Sequence, residues 1–143
     1  MSGISLEASE RRIGIVGRNG SGKTSMARVL AGLVAATSGT VRIAGVDVVK
    51  DRKAALRHVG ILFQNPDHQI IFPTVEEEIS FGLTQLGQTA AHAADNTAQM
   101  LARFDRSHWA KAAIHQLSQG QRQLVCLMSI LAMQPKVIIL DEP

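Results

Sequence analysis

Cysteine, aromatic residues and long apolar runs are all scarce in this sequence, and each scarcity removes a class of function. The one cysteine, Cys126, rules out a disulfide framework within the chain. Its neighbours Leu124, Val125, Leu127 and Met128 predict a small buried side chain, not a metal ligand or nucleophile. Tyrosine is missing, and four Phe and one Trp are too few for a platform on which single-stranded nucleic acid could stack. No run of roughly 18 or more apolar residues is present, so no segment reads as a membrane-spanning helix. The first residues, from Met1 to Glu7, carry neither a basic leader nor a long apolar stretch, and the default expectation is a cytoplasmic chain without a secretion signal. Blocks of one charge sign are lacking too. Fifteen Lys and Arg are interspersed with twelve Asp and Glu for a net charge of +3, so no nucleic acid is expected as a partner. The five histidines, His58, His68, His92, His108 and His115, are dispersed without metal-ligand spacing and read as surface or turn residues.

What is present is enough for one α/β domain: 143 residues, 45% of them hydrophobic. The apolar run Ile13-Gly14-Ile15-Val16 predicts a strand entering a Gly-rich turn. Thr24 to Leu33 then carries Met26, Val29, Leu30 and Leu33 at helical spacing. Val41-Arg42-Ile43, the turn Ala44-Gly45 and the following Val46-Asp47 predict a hairpin. Val59 to Phe63 reads as a buried strand ended by the turn cluster Gln64-Asn65-Pro66-Asp67. Residues 74 to about 116 predict a helical insert, with Thr74 and Glu77 as a capping box and Ala94, Ala98, Leu101 and Phe104 as its later inward stripe. Glu76, Glu77 and Glu78 fall in the first turn, where the helix dipole favours negative charge, and are not read as catalytic. A further helix from about Gln119 to Met133 should face Leu124, Leu127, Met128 and Leu131 inward and stop before Pro135. Val137-Ile138-Ile139-Leu140 reads as a parallel strand covered on both faces.

Three segments carry chemistry. Gly17-Arg18-Asn19-Gly20-Ser21-Gly22-Lys23-Thr24 fits G-x-x-x-x-G-K-[ST] between a predicted strand and a predicted helix. Glycines let consecutive N–H groups face phosphate oxygens at a helix N-terminus; Lys23 is placed to reach the outer phosphates and Thr24 to offer its hydroxyl to Mg²⁺. Asp141 and Glu142 end an apolar strand, at the carboxyl edge where open α/β sheets bind ligands. There Asp141 can hold Mg²⁺ and Glu142 can polarise a water. Ser118, at the start of the Gln119 helix with Gly120, fits either an N-cap or a second anion site.

The phosphate loop, Gln64 after an apolar strand, Leu117-Ser118-Gln119-Gly120-Gln121 and Leu140-Asp141-Glu142-Pro143, in this order, resemble the nucleotide-binding domain of ATP-binding cassette proteins over almost the whole chain. The resemblance implies a P-loop NTPase fold with a helical subdomain, truncated before the last strands, and ATP and Mg²⁺ as ligands. It implies two cassettes paired head to tail, with Ser118, Gln119, Gly120 and Gln121 facing ATP held by the partner's phosphate loop. It implies Thr24, Gln64 and Asp141 at the metal and Glu142 as catalytic base. Gln119 stands where the family usually has glycine, a departure expected to tune the site. The segment from Phe63 to Ile79, with Ser9 to Gly20 and Leu117 to Gln123, is similar to energy-coupling-factor ATPases, and among them to the ATP-binding subunits of bacterial biotin uptake systems. The implied setting is the cytoplasmic face of a bacterial membrane, with a second cassette subunit, an integral coupling subunit and a substrate-binding membrane subunit. The family's switch histidine and aspartate loop are expected beyond Glu142 and an adenine-stacking aromatic before Gly17; none occurs, so the sequence reads as a fragment.

The alternatives are a cobalt or nickel importer ATPase of the same group, a nucleic-acid or ribosome clamp, and a non-hydrolysing binder. No basic stripe or coiled coil lies between Thr24 and Leu117 to favour the clamp, and Glu142 has no use in a mere binder.

Overall fold

The computed structural model describes residues 3–142, which leaves Pro143 of the last motif outside the described residues. The first helix, α1 (Lys23–Leu30), starts from Gly22 in the left-handed region, φ 93°, without a side-chain cap. It stops sooner than the apolar spacing suggests. Gly32 takes φ 72° and an added Cβ there would lie 2.6 Å from the Val48 carbonyl oxygen, so Leu33 falls outside the helix and is exposed.

The expected hairpin forms between β1 (Arg42–Ile43) and β2 (Val46–Asp47), antiparallel with Ile43 opposite Val46. Its turn residues Ala44 (φ 50°) and Gly45 (φ 83°) are both left-handed, as the tightest hairpin turns require. Asp51 caps α2 (Arg52–His58), its carboxylate accepting the Ala54 N–H at 2.9 Å. The chain then enters β3 (Val59–Leu62), which pairs in parallel with β4 (Val137–Leu140), Val59 opposite Val137 and Leu62 opposite Leu140.

The largest core is helical. It joins α3 (Val75–Gln85), α4 (Ala90–Arg103) and α5 (Gln119–Ala132) through Val75, Ile79, Leu101, Trp109, Ile114, Val125 and Met128. Residues 110–114 tie back onto the start of α3 through main-chain bonds from Val75, Glu76 and Ile114. A smaller cluster of Leu62, Cys126 and Ile130 seats α5 on β3. There Gly60 is required by close approach, since an added Cβ would lie 2.5 Å from Ile130 Cγ2.

Further expectations differ from the structure. Residues 13–16 form no strand, and Ile13, Ile15 and Val16 are exposed, Val16 by 94%. A strand exists only through ladder bonds to a neighbour, and among the described residues nothing pairs with this run. Among the described residues β4 pairs with β3 alone, and too little packs over its faces to cover them: Val137, Ile138 and Leu140 are exposed. In α4 the inward residues are Ala93, Thr97 and Leu101; Ala94 and Ala98 face solvent, because bulky Met100, Leu101 and Phe104 set the buried face where alanines cannot. In α5 the buried set is Val125, Cys126, Met128 and Ile130, since the helix packs on two sides at once; Leu124, Leu127 and Leu131 are half-buried.

Candidate nucleotide and metal-ion site

The loop before α1 turns on Arg18, whose carbonyl accepts the Ser21 N–H at 3.1 Å. Gly17 packs so closely on this turn that an added Cβ would meet Ser21 Oγ at 2.7 Å, while Gly20 takes φ 78°. Lys23 folds back over the loop. Its ammonium donates to the Gly17 and Arg18 carbonyls at 3.0 and 3.2 Å, which aims the charge at the space the loop encloses. A cavity of about 350 Å³ opens there, lined by Asn19, Gly20, Gly22, Lys23, Thr24, Ser25 and Glu142.

The register of β3 and β4 delivers the carboxylates. The Asp141 N–H continues the ladder to the Leu62 carbonyl at 3.0 Å, so Asp141 leaves the sheet at the mouth of the loop, buried. The Thr24 hydroxyl donates to Asp141 Oδ1 at 3.1 Å across 117 residues of sequence. Glu142 sits in the left-handed region at φ 48°, a conformation costing a non-glycine residue about 1–2 kcal/mol. In that posture Oε1 lies 3.6 Å from the Lys23 ammonium and Oε2 accepts from Gln64 Nε2 at 3.4 Å. The loop, Gln64, Asp141 and Glu142 are thus gathered into one site.

The segment 117–121 stands apart. Ser118 and Gln121 form a reciprocal capping box, Ser118 N–H to Gln121 Oε1 at 2.8 Å and Gln121 N–H to Ser118 Oγ at 3.3 Å. Of the two readings of Ser118, the N-cap is therefore realised within the chain. Gln119 and Gly120 are exposed, and an added Cβ on Gly120 meets nothing within 4 Å. Among the described residues no hydrogen bond or ion pair joins residues 118–121 to the phosphate loop.

Sequence reasoning grouped three glutamates that the structure separates. Glu76 pairs with Lys111, and Glu77 accepts the Thr74 hydroxyl, a side-chain contact in place of the expected capping box. Glu78 is buried and accepts both the Ile71 and Phe72 N–H groups at 2.9 Å, fixing the segment that follows Gln64. The signal was available: Val75, Glu78, Ile79, Gly82 and Leu83 lie at helical spacing on one face. Arg122 and Gln123, also missed, reach from α5 to the same segment. Arg122 lies 3.2 Å from Asp67 Oδ1, and Gln123 Nε2 donates to the Phe63 carbonyl at 2.9 Å.

A family model described as ABC transporter matches residues 2–143. The chain belongs to that family. Within it, the cassette is 56% identical over 142 residues to a biotin transport ATP-binding protein of Rhodobacter capsulatus, covering 99% of this chain and 61% of the relative. It is 37% identical over 145 residues to an energy-coupling factor transporter ATP-binding protein of Methanoculleus marisnigri, covering the whole chain and 52% of that protein. Among solved structures, cbiO1 from Clostridium perfringens, part of the ABC transporter complex cbiONQ, superposes with a TM-score of 0.72 at 30% identity, over 90% of this chain and 52% of that one. The fold is the P-loop ABC ATPase fold with a helical insert. The cassette spans about half to six-tenths of the length of these relatives.

Proposed function

We propose that this cassette is the ATP-hydrolysing portion of an energy-coupling-factor importer's ATP-binding subunit, and that the solute imported is biotin. The observation that carries the hydrolytic part is the Thr24–Asp141 hydrogen bond, which ties the phosphate loop to the carboxylate-bearing end of β4, where Glu142 lines the same cavity as the loop. The donor set suits Mg²⁺. A hydroxyl and one buried carboxylate are hard oxygens, and this ion characteristically takes one or two protein carboxylates and fills its remaining positions with phosphate oxygens and water. Thr24, Asp141 and Gln64 would hold it, and when bound it supplies neutralisation of the phosphate charge.

The chain's own residues do the rest. Amides from Gly17 to Thr24 and the N-terminus of α1 bind the phosphates, and the Lys23 ammonium stabilises charge on the outermost one. Glu142, with a carboxylate oxygen on Gln64, orients the attacking water and takes its proton. Ser118, Gln119, Gly120 and Gln121 serve a second cassette. Gly120 supports that role: an added Cβ there meets nothing within 4 Å among the described residues, so the open backbone at this helix start suits an approaching phosphate. Residues 74–116 act as the helical subdomain facing the membrane partners, an integral coupling subunit and a substrate-binding subunit. The chain works on the cytoplasmic face of a bacterial membrane, in keeping with there being no helix, among the described residues, long and apolar enough to cross one. The assignment of biotin rests on the 56% identity to the Rhodobacter capsulatus biotin transport protein.

In the full-length gene product, Glu142→Gln is expected to keep ATP affinity, lower turnover by about a hundredfold or more, and hold two cassettes together in ATP on gel filtration. Undiminished turnover removes Glu142 from this role. Cells depending on this gene for biotin uptake should stop accumulating labelled biotin when it is deleted; loss of cobalt or nickel uptake instead would reassign the solute.

A further inference from the structure

The sheet ends one residue before the chain reaches Gln64. Leu62 gives its carbonyl to the Asp141 N–H, as the ladder demands, but among the described residues no strand lies beside the Phe63 carbonyl. Gln123 Nε2, from the second turn of α5, donates to that carbonyl at 2.9 Å across 60 residues of sequence. The orientation of this amide is forced, because turning it over would set two oxygens face to face. Its own Oε1 is buried with no partner among the described residues, a cost accepted for the sake of the bond to Phe63. Phe63 is held on two further sides, its N–H 3.4 Å from Gln69 Oε1 and its ring 5.9 Å from the Arg28 guanidinium of α1. The next side chain, Gln64, reaches Glu142.

We infer that Gln123 is a positioning residue for hydrolysis: by replacing the missing ladder partner of Phe63 it fixes Gln64 against Glu142, so that the helix bearing Ser118 and the hydrolytic carboxylate share one anchor. The inference rests on the hydrolytic role proposed above for Gln64 and Glu142. Gln123 touches neither carboxylate nor cavity, so its loss should act on turnover and spare nucleotide binding. A misplaced activating group characteristically costs turnover while leaving ground-state binding intact.

The test is steady-state ATP hydrolysis by the full-length gene product, with ATP affinity measured separately by equilibrium titration. Gln123→Met keeps much of the side-chain length and removes the donor. It should lower kcat about tenfold while KM and ATP affinity stay within about twofold. The double variant with Gln64→Ala should be no slower than Gln64→Ala alone, the signature of a residue acting through another. Gln123→Glu keeps size and polarity without an amide donor and should show the same loss, which serves should Gln123→Met not fold. A folded Gln123 variant with wild-type kcat overturns the inference, as does a double variant in which the two losses multiply. A hydrolysing wild type whose Gln64→Ala variant is undiminished brings down the hydrolytic reading of Gln64, and the inference falls with it.

Discussion

The loop half of the molecule and its helical half are built on opposite terms. From residue 3 to 25 nearly every position is exposed, and order comes from a few directed hydrogen bonds: Lys23 to two carbonyls, Thr24 to Asp141. From Val75 to Ile130 order comes from packing, with Ile79, Leu83, Leu101 and Met128 fully buried. The phosphate-binding residues lie in the first region and the burial mostly in the second. The contrast teaches that the site is positioned from outside itself: α5, firmly packed in the helical core, also grips the Gln64 segment through Arg122 and Gln123. A phosphate loop must leave its amides unpaired for a ligand, so it cannot also be stabilised by burying them.

The contrast breaks most severely from the packed side. Leu83→Ala in the full-length protein should cost about 2–5 kcal/mol, seen as an earlier denaturant midpoint, with the ATP affinity of the folded fraction unchanged. A comparable fall in affinity would mean that the halves are not separable. Lys23→Ala should do the reverse, lowering ATP affinity by about 2–3 kcal/mol, or roughly a hundredfold, with the unfolding midpoint held. Nucleotide titration beside a melting curve checks both.

Two glycines sharpen the comparison at smaller scale. Gly60→Ala drives a Cβ against Ile130, a stiff β-branched side chain, with Pro135 also close, and should cost about 1–3 kcal/mol. Gly82→Ala meets the Met133 thioether at 2.7 Å, a flexible end that can swing aside, so it should cost under about 1 kcal/mol. Equal costs would show that the sheet contact is no more rigid than the helical one.

The smallest effect belongs to Cys126, whose thiol is pushed up to about 12 by burial and, less, by the Glu78 carboxylate. The unfolded thiol ionises near 9.0, so the stability this group contributes is complete below that pH and is lost as pH rises from 9 towards 12. At pH 8 a thiol reagent should label the native protein only as fast as it unfolds. Rapid labelling would place Cys126 at an accessible surface.

Legibility in the sequence followed the range of the forces involved. The phosphate loop, the Ala44-Gly45 turn and the start of α5 were readable because each is set by neighbours within a few residues. The strand expected at 13–16 was not, since an apolar run says nothing of whether a ladder partner lies beside it. The buried face of α4 was misjudged because alanines give the pattern little contrast. Glu78, Arg122 and Gln123 were overlooked because a polar side chain reveals its role only through the distant backbone group it meets.

By itself, then, the sequence determined the chemical inventory: a loop able to bind phosphate, a strand ending in two carboxylates, a helix opened by a serine and a glycine. These follow from residue type and local spacing, which the chain carries wherever it goes. The tertiary structure decided which members meet. It set Thr24 3.1 Å from Asp141 and Gln64 beside Glu142, while leaving Ser118 and Gly120 facing outward. That choice depends on the parallel register of β3 with β4 and on how α5 seats over Gly60, long-range contacts whose energy no local pattern records.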